Sequence, residues 1–118
     1  MAKHIIDAGF KQSVEREVRE NILNFWIEHT LDEEQGGFYG KITHSMDIEA
    51  SAPKGLVLNT RILWSFSRAY NYFKTAEYLT VATRAYNYLV EYFWDQDFGG
   101  LYWLLDANGA AIDTKKRG

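Results

Sequence analysis

One arginine lies inside a helix that has almost no polar face. The stretch from Ala52 to Phe73, APKGLVLNTRILWSFSRAYNYF, carries apolar side chains around its whole circumference, and Arg61 lies in its first half. A helix of this kind is normally covered by protein on all sides. A guanidinium in such a helix needs a carboxylate, a water-filled cleft or a polar ligand at its tip. Two interpretations stay open: an arginine that reaches water or an acid near a helix end, and one that reaches into a ligand-binding cavity.

The aromatic content indicates what such a cavity could hold. Aromatic residues make up 16% of the chain, with 4 Trp, 8 Tyr and 7 Phe. Aromatic-rich clefts suit carbohydrates, because the C–H faces of a sugar stack on rings while its hydroxyls bind polar groups. The alternative is that most of these rings form the core.

Composition excludes several other classes of function. The chain of 118 residues has a formal charge of −3 and a pI near 5.6, so nucleic acid is an unexpected partner. It has 0 cysteines, which removes disulfides and thiolate metal sites. The N-terminus, MAKHIIDAGFK, is too polar for a signal sequence, and no apolar run approaches the length of a membrane span. We therefore expect a soluble, cytoplasmic protein without metal or cofactor.

A run of three acids follows the first helix. Asp32, Glu33 and Glu34 are adjacent, and nothing near them would separate their pKa values as paired catalytic carboxylates require. We expect a solvated acidic loop.

Two one-sided helices accompany the central one. Apolar residues recur with helical spacing from Ser13 to His29, and Ser13 is a suitable N-cap. The same holds from Ala76 to Trp94, with Thr75 as the N-cap. Because this helix follows the central one after two residues, the two must be antiparallel.

Short strands are expected between the helices. Phe38 to Thr43 predicts a small hairpin, and Leu101 to Leu105 predicts a strand that ends at an Asn-Gly turn. The return strand is expected at residues 110–112, and Asp113 is expected to begin a fourth helix.

The order of these elements repeats. Gly36-Gly37 recurs as Gly99-Gly100, 63 residues later, and each pair follows a helix with Phe-Trp near its end. Self-similarity of this kind is typical of arrays in which each unit buries its face on the next, and two units are too few to complete one. The pattern predicts part of a larger helical toroid.

Four segments together resemble the N-terminal part of the N-acylglucosamine 2-epimerase superfamily, and within it most closely its cellobiose 2-epimerase members. They are NILNFWIEHTLDEEQGGFYGKI, APKGLVLNTRILWSFSRAY, RAYNYLVEYFWDQDFGGLYWLLDANG and IDTKK. The resemblance implies an all-α fold: residues 1–118 would be an incomplete N-terminal fragment of a single (α/α)6-barrel domain, with short β-hairpins between its helices.

The resemblance also implies a reaction. Such enzymes invert carbon 2 of a reducing-end sugar, as in cellobiose to glucosyl-mannose, by removing the C2 proton and passing through an enediolate. Two histidines act as general acid and base, and an inner-helix arginine holds the substrate oxygens.

Only some of these roles map onto this chain. The family's N-x-R-I-L-W motif matches Asn59 to Trp64 and makes Arg61 the principal substrate-binding candidate, with Asn59, Tyr102 and Trp103 as further candidates. No catalytic residue is expected in this chain, because the acid/base histidines would lie beyond residue 118. The three histidines present are expected at the surface: His4, His29 and His44.

Three hypotheses remain. The first is an epimerase fragment that is inactive alone and whose partners are a small sugar or disaccharide, its own copy or the missing C-terminal part of the barrel. The second is a carbohydrate-binding or partner-binding helical module without chemistry. The third, a glycosidase of another (α/α)6 family, would need two carboxylates facing one bond, and no pair is suitably placed.

Overall fold

A computed structural model describes residues 8–42 and 47–117. The chain divides after Thr30 into two compact units, and each is described by itself.

The first unit is one helical run. Helix α1 spans Ala8–Arg16, a π-helical segment spans Glu17–Leu23, and helix α2 spans Asn24–His29. The predicted N-cap at Ser13 is wrong, because the helix begins at least a turn earlier. The Ser13 hydroxyl instead donates back to the Gly9 carbonyl oxygen at 3.1 Å, as serines inside helices do.

Two antiparallel helices form the body of the second unit. Helix α3 spans Leu56–Phe73, and helix α4 spans Ala76–Tyr88 and continues as a π-helical segment, Leu89–Phe93. Lys74 ends α3 in the left-handed conformation, with φ of 58°. Thr75 is the residue before α4 as expected, but its side chain makes no capping hydrogen bond.

Apolar residues at helical spacing pack the two helices against each other. The rings of Phe66 and Tyr78 lie 6.0 Å apart between centroids. Small residues such as Ala82 and Ala85 are buried on α4, which lets the helices approach closely. The helical spacing of these residues in the sequence therefore corresponds to the face that packs.

A three-stranded antiparallel sheet completes the second unit, in the order β1-β2-β3. Strand β1 spans Lys54–Gly55, β2 spans Leu101–Leu105 and β3 spans Ala111–Arg117. The pairing Lys54↔Leu105 places the start of α3 beside the end of β2.

One helix prediction and one hairpin prediction need correction. The fourth helix expected at Asp113 is wrong, because β3 continues to Arg117 and pairs with β2 along its length, including Leu104↔Asp113 and Leu101↔Arg117. The hairpin expected at Phe38 to Thr43 is reduced to isolated bridges, Leu31↔Phe38 and Ile42↔Ile48, and Thr43 lies outside the described residues.

The sheet packs on the helices through one apolar cluster. Its buried members come from α3, from the end of α4 and from β2: Leu56, Tyr88, Leu89, Phe93 and Leu105. The chain is thus helix-rich with a small antiparallel sheet. Within the described ranges, no helix combines the length and hydrophobicity that crossing a bilayer would require.

Candidate functional site

Helix α3 has one buried face and one exposed face. The exposed face carries residues spaced four, three, four and four apart: Val57, Arg61, Trp64, Arg68 and Tyr72. Trp64 is 64% exposed, an unusual position for a large indole. The helix that is apolar on all sides is therefore covered on only one side by the rest of this unit.

Arg61 is exposed on that face. Among the side chains that the structure describes, in residues 8–42 and 47–112, none forms a hydrogen bond or ion pair with its guanidinium. Neighbouring Arg68 lies over the Trp64 ring, 5.3 Å from its centroid. This face thus combines an aromatic surface with two cations.

Asn59 lies on the opposite face of α3 and is 1% exposed. Its Nδ2 donates to the Gly55 carbonyl oxygen at 2.8 Å, which secures the first turn of the helix. Its Oδ1 has no hydrogen-bond partner among the described residues. The structure therefore does not bring Asn59 and Arg61 together.

Tyr102 and Trp103 lie in β2 and are half-buried. Both pack against the apolar cluster that includes Leu56 and Phe93. Part of each ring thus belongs to the core, and their predicted contact with a sugar stays a prediction.

The histidines make no cluster in the described structure. His29 is exposed at the end of α2, with its Nε2 3.7 Å from the carboxylate of Glu28. His4 and His44 lie outside the described residues. Among the residues that the structure describes, no three metal-ligating side chains of His, Cys, Asp or Glu type gather at one point.

Sequence reasoning missed a buried, hydrogen-bonded pair of charged groups in the second unit. Asp32, which was expected in a solvated loop, is 1% exposed, whereas Glu33 and Glu34 are exposed. Lys54 is completely buried, and its Nζ donates to Asp32 Oδ2 at 2.9 Å and to the Gly36 carbonyl oxygen at 2.7 Å. The expectation fails because an ammonium 22 residues away neutralises the carboxylate.

The other oxygen of Asp32 holds its own loop. Oδ1 accepts hydrogen bonds from the backbone N–H groups of Glu34, at 3.1 Å, and Gln35, at 2.9 Å. Burial by itself would raise the pKa of Asp32, but the bond and charge of Lys54, together with these two N–H groups, hold the pKa below its ordinary value of 3.8. The carboxylate is therefore ionised near neutrality.

Helix α4 braces the same loop. The Nε of Arg84 donates to the Gly37 carbonyl oxygen at 3.0 Å, and its Nη2 donates to the Asp32 carbonyl oxygen at 2.7 Å. Two carbonyl groups at the loop's closure are thereby satisfied by one planar guanidinium.

Tyr88 lies under the loop. Its ring centroid is 5.2 Å from the Lys54 Nζ, a cation–π contact, and 4.5 Å from that of Tyr92. Its hydroxyl is buried without a hydrogen-bond partner among the described residues. Burial, with smaller contributions from Tyr92, Asp32 and other nearby acids, raises the pKa of Tyr88 to about 12.

The loop occurs twice with the same hydrogen bonds. The N–H of Asp32 bonds the Gly37 carbonyl oxygen and that of Asp95 bonds the Gly100 carbonyl oxygen, at 3.0 and 2.9 Å. Asp95 Oδ1 also accepts from the two N–H groups that follow at positions 97 and 98. The sequence contained a signal for this repeated loop, because an aspartate stands four residues before each Gly-Gly pair.

An open cavity of about 360 Å³ lies beside the first loop. Carboxylate, amide and hydroxyl groups line it, contributed by the loop, by the approach to β1 and by the turn after β2: Asp32, Glu34, Gln35, Ser51, Asp106 and Asn108. Such groups can bind the hydroxyls of a neutral polar ligand.

Known proteins are similar to this chain in sequence. A family model described as N-acylglucosamine 2-epimerase (GlcNAc 2-epimerase) matches residues 37–118. The cellobiose 2-epimerase of Bacteroides fragilis is 44% identical over 112 residues, which are 95% of this chain and 29% of that relative. The cellobiose 2-epimerase of Dictyoglomus turgidum is 37% identical over 106 residues, which are 90% of this chain and 27% of that relative.

Solved structures of similar proteins superpose on this chain. The cellobiose 2-epimerase from Bacillus thermoamylovorans superposes with a TM-score of 0.86 at 36% identity, over 91% of this chain and 27% of that structure. A D-mannose isomerase superposes with a TM-score of 0.76 at 29% identity, over 88% of this chain and 26% of that structure. This chain therefore spans less than a third of the length of these relatives.

Proposed function

The chain belongs to the N-acylglucosamine 2-epimerase family, and from that membership we propose that it is the N-terminal part of an epimerase that inverts carbon 2 of a reducing-end sugar, as in the conversion of cellobiose to glucosyl-mannose. The observation that carries the proposal is the 44% identity to a cellobiose 2-epimerase over 95% of the chain. The alignment covers 112 of the 118 residues, so it spans both Gly-Gly loops and the helix of Arg61.

The fold proposed for the whole protein is a single (α/α)6 barrel, of which this chain is one part. Two observations support it. The exposed face of α3 carries Trp64 and Arg61 without cover from the second unit, and the Asp-x-x-x-Gly-Gly loop recurs 63 residues on. A repeated unit whose inner helix is bare on one side is completed by further units of the same kind.

The chemistry proposed for that protein is proton transfer. A base removes the C2 proton of the open-chain sugar, and the electron pair moves toward the C1 carbonyl oxygen to form an enediolate. A proton then returns to C2 from the opposite face and the carbonyl re-forms. Histidines outside this chain would exchange the protons, because imidazole titrates near neutrality.

Arg61 is proposed to bind the substrate oxygens and to stabilise the negative charge of the enediolate. Its exposure and its lack of a partner among the described residues support this role, since an unpaired guanidinium is available for an oxyanion. Tyr102 and Trp103 are proposed as lesser contributors that stack on sugar C–H faces. Asn59 is proposed to support Arg61 only by securing the first turn of α3.

A chimaera tests the proposal. The chain replaces the matched 29% of the Bacteroides fragilis cellobiose 2-epimerase, and cellobiose is supplied in D2O. We expect glucosyl-mannose with deuterium at carbon 2, and no turnover by the 118-residue chain alone. A folded chimaera without epimerisation would overturn the proposal, and turnover by the chain alone would overturn the requirement for further helices.

A second candidate function is a binding module without chemistry, which the aromatic and cationic face of α3 favours. Calorimetry with cellobiose on the chain alone separates the two. Heat of binding supports the module, whereas the epimerase fragment is expected to give little, because most of its sugar site would be missing.

A further inference from the structure

The start of helix α3 has no side-chain N-cap hydrogen bond. Its N-cap is Gly55, which has no side chain to accept a hydrogen bond, and no acidic residue stands in the first turn. Helix starts of this kind leave backbone N–H groups without side-chain partners and fray readily. Other contacts must therefore fix where α3 begins and in which direction it points.

Lys54, the residue before that N-cap, supplies those contacts. It pairs with Leu105 in the sheet, and its buried ammonium bonds Asp32 Oδ2 and the Gly36 carbonyl oxygen. The Asp32 loop is itself held by Arg84 from α4. The Lys54 side chain thus connects the start of α3 to the Asp32 loop, and Arg84 connects that loop to α4.

Arg61 depends on that tie for its position. It lies six residues after Gly55, which is about 9 Å along a helix at 1.5 Å per residue. Because no described residue holds its guanidinium, only the placement of the helix decides where the guanidinium can reach. A shift of the start of α3 would therefore also move Arg61, because no contact of the guanidinium itself holds it in place.

Energetics also favour a positioning role over a purely stabilising one. A buried ion pair is often no more stable than well-packed apolar residues, because both charges must leave water. Its directional bonds do, however, select one arrangement of the groups that they join. We infer that Lys54, through its bonds to Asp32 and Gly36, is a positioning residue that holds the start of α3 so that Arg61 reaches the substrate oxygens; this rests on the proposed function.

A double-mutant cycle in the chimaera tests the inference. The variants are Lys54→Met, Arg61→Ala and the pair together, each assayed for kcat and KM with cellobiose. We expect Lys54→Met to lower kcat/KM by about 10- to 100-fold when Arg61 is present, since small misplacements of a binding group cost that much. With Arg61→Ala in place, the further loss should be below about threefold.

A merely structural role gives a different result. A smaller folded fraction lowers the rate by the same factor with and without Arg61, so equal losses in both backgrounds would overturn the inference while the proposed function stands. An Arg61→Ala variant with undiminished kcat/KM would overturn both the role of Arg61 and that of Lys54. A folded but inactive chimaera would remove the proposed function and the inference together.

A second substitution keeps the test decisive if Lys54→Met unfolds. Asp32→Asn retains the Oδ1 acceptor for the loop N–H groups and replaces the charged Oδ2, to which Lys54 donates, with an amide NH2. It should show the same dependence on Arg61 to a smaller degree. Asp95→Asn is the matched control, because it alters the equivalent loop that precedes β2 and not the start of α3. We expect its effect to be equal in both Arg61 backgrounds, and circular dichroism at the assay temperature reports the folded fraction of every variant.

Discussion

At the scale of single residues, the central feature is the buried pair of Asp32 and Lys54. Each member would be costly to bury alone, and each reduces that cost for the other. Two backbone N–H groups and one carbonyl oxygen complete the bonding of the two side chains. The pair is therefore sensitive to the loss of either partner.

Lys54→Met should strongly destabilise the chain. The substitution keeps an unbranched side chain of similar size but leaves the Asp32 carboxylate buried without a counter-charge, which typically costs roughly 3–5 kcal/mol in the free energy of unfolding. Urea unfolding followed by circular dichroism measures the loss.

The matched control for this substitution is Lys41→Met. Lys41 also faces an acid, Glu49, at 3.8 Å, but the side chains are 61% and 45% exposed. We expect a change of about 0.5 kcal/mol or less, because solvent screens such pairs. Equal losses in the two variants would show that burial of the Asp32 pair contributes nothing.

The same pair predicts how stability depends on pH. The folded pKa of Asp32 lies below its ordinary value of 3.8, so the unfolded chain binds the proton more readily. The contribution of the carboxylate is complete above the unfolded pKa and is lost as the pH falls through the lower, folded pKa. The difference in urea midpoint between the parent chain and Asp32→Asn should therefore be largest near neutrality and shrink below about pH 4. A difference that grows on acidification would contradict the assignment.

At the scale of elements, the conformation of the loops is important for connecting the helices to the sheet. Both Asp-x-x-x-Gly-Gly loops place two successive glycines at positive φ, which other residues rarely adopt. At Gly37 a side chain would also meet the ring of Tyr88, 2.8 Å from the position of the Cβ. The glycines thus allow the loop to close over the apolar cluster.

A second close approach joins the segment after the first loop to the segment before β1. A Cβ at Gly40 would overlap the carbonyl oxygen of Pro53. Because that neighbour is backbone, we expect Gly40→Ala to cost roughly 3 kcal/mol in the free energy of unfolding, the upper end for overpacking. Urea unfolding checks the value.

Gly55→Ala is the control for that substitution. No atom lies within 4 Å of the position of its Cβ, and its φ of −97° suits any residue. The change should stay within about 1 kcal/mol. If Gly40→Ala were as mild as this control, the close approach to Pro53 would be wrong.

At the scale of the whole molecule, the exposed face of α3 distinguishes this chain from a self-sufficient domain. A large indole beside a row of further apolar and cationic side chains is typical of a surface that packs against another protein element. In the proposed barrel that element is another part of the same protein.

The chain alone should therefore associate through this face. Sedimentation velocity over a range of concentrations is expected to show self-association, and Trp64→Gln should weaken it by about tenfold or more, because central tryptophans dominate such contacts. Phe98→Gln is the control, since Phe98 is 87% exposed in the second loop and is not part of the α3 face. A chain that stays monomeric at all concentrations, or a Phe98→Gln variant that dissociates equally, would contradict the role of the α3 face.

The local pattern of the sequence determined much of the architecture. Helical spacing of apolar residues located α3 and α4, the Asn-Gly turn located the end of β2, and the repeated Gly-Gly pairs indicated repeated units. Each of these patterns consists of residues that are a few positions apart, so it can be recognised in the sequence without knowledge of the fold. The family resemblance, carried by four segments of the sequence, was confirmed by the comparisons.

Tertiary structure alone decided the rest. Residues 113–117 are locally compatible with a helix, but pairing with β2 makes them a strand. Asp32 resembles its two exposed neighbours in sequence, yet only Asp32 meets a lysine from 22 residues away. Both outcomes depend on partners that the fold brings from a distance, and the energies of burial and strand pairing exceed the local preferences that a sequence pattern records.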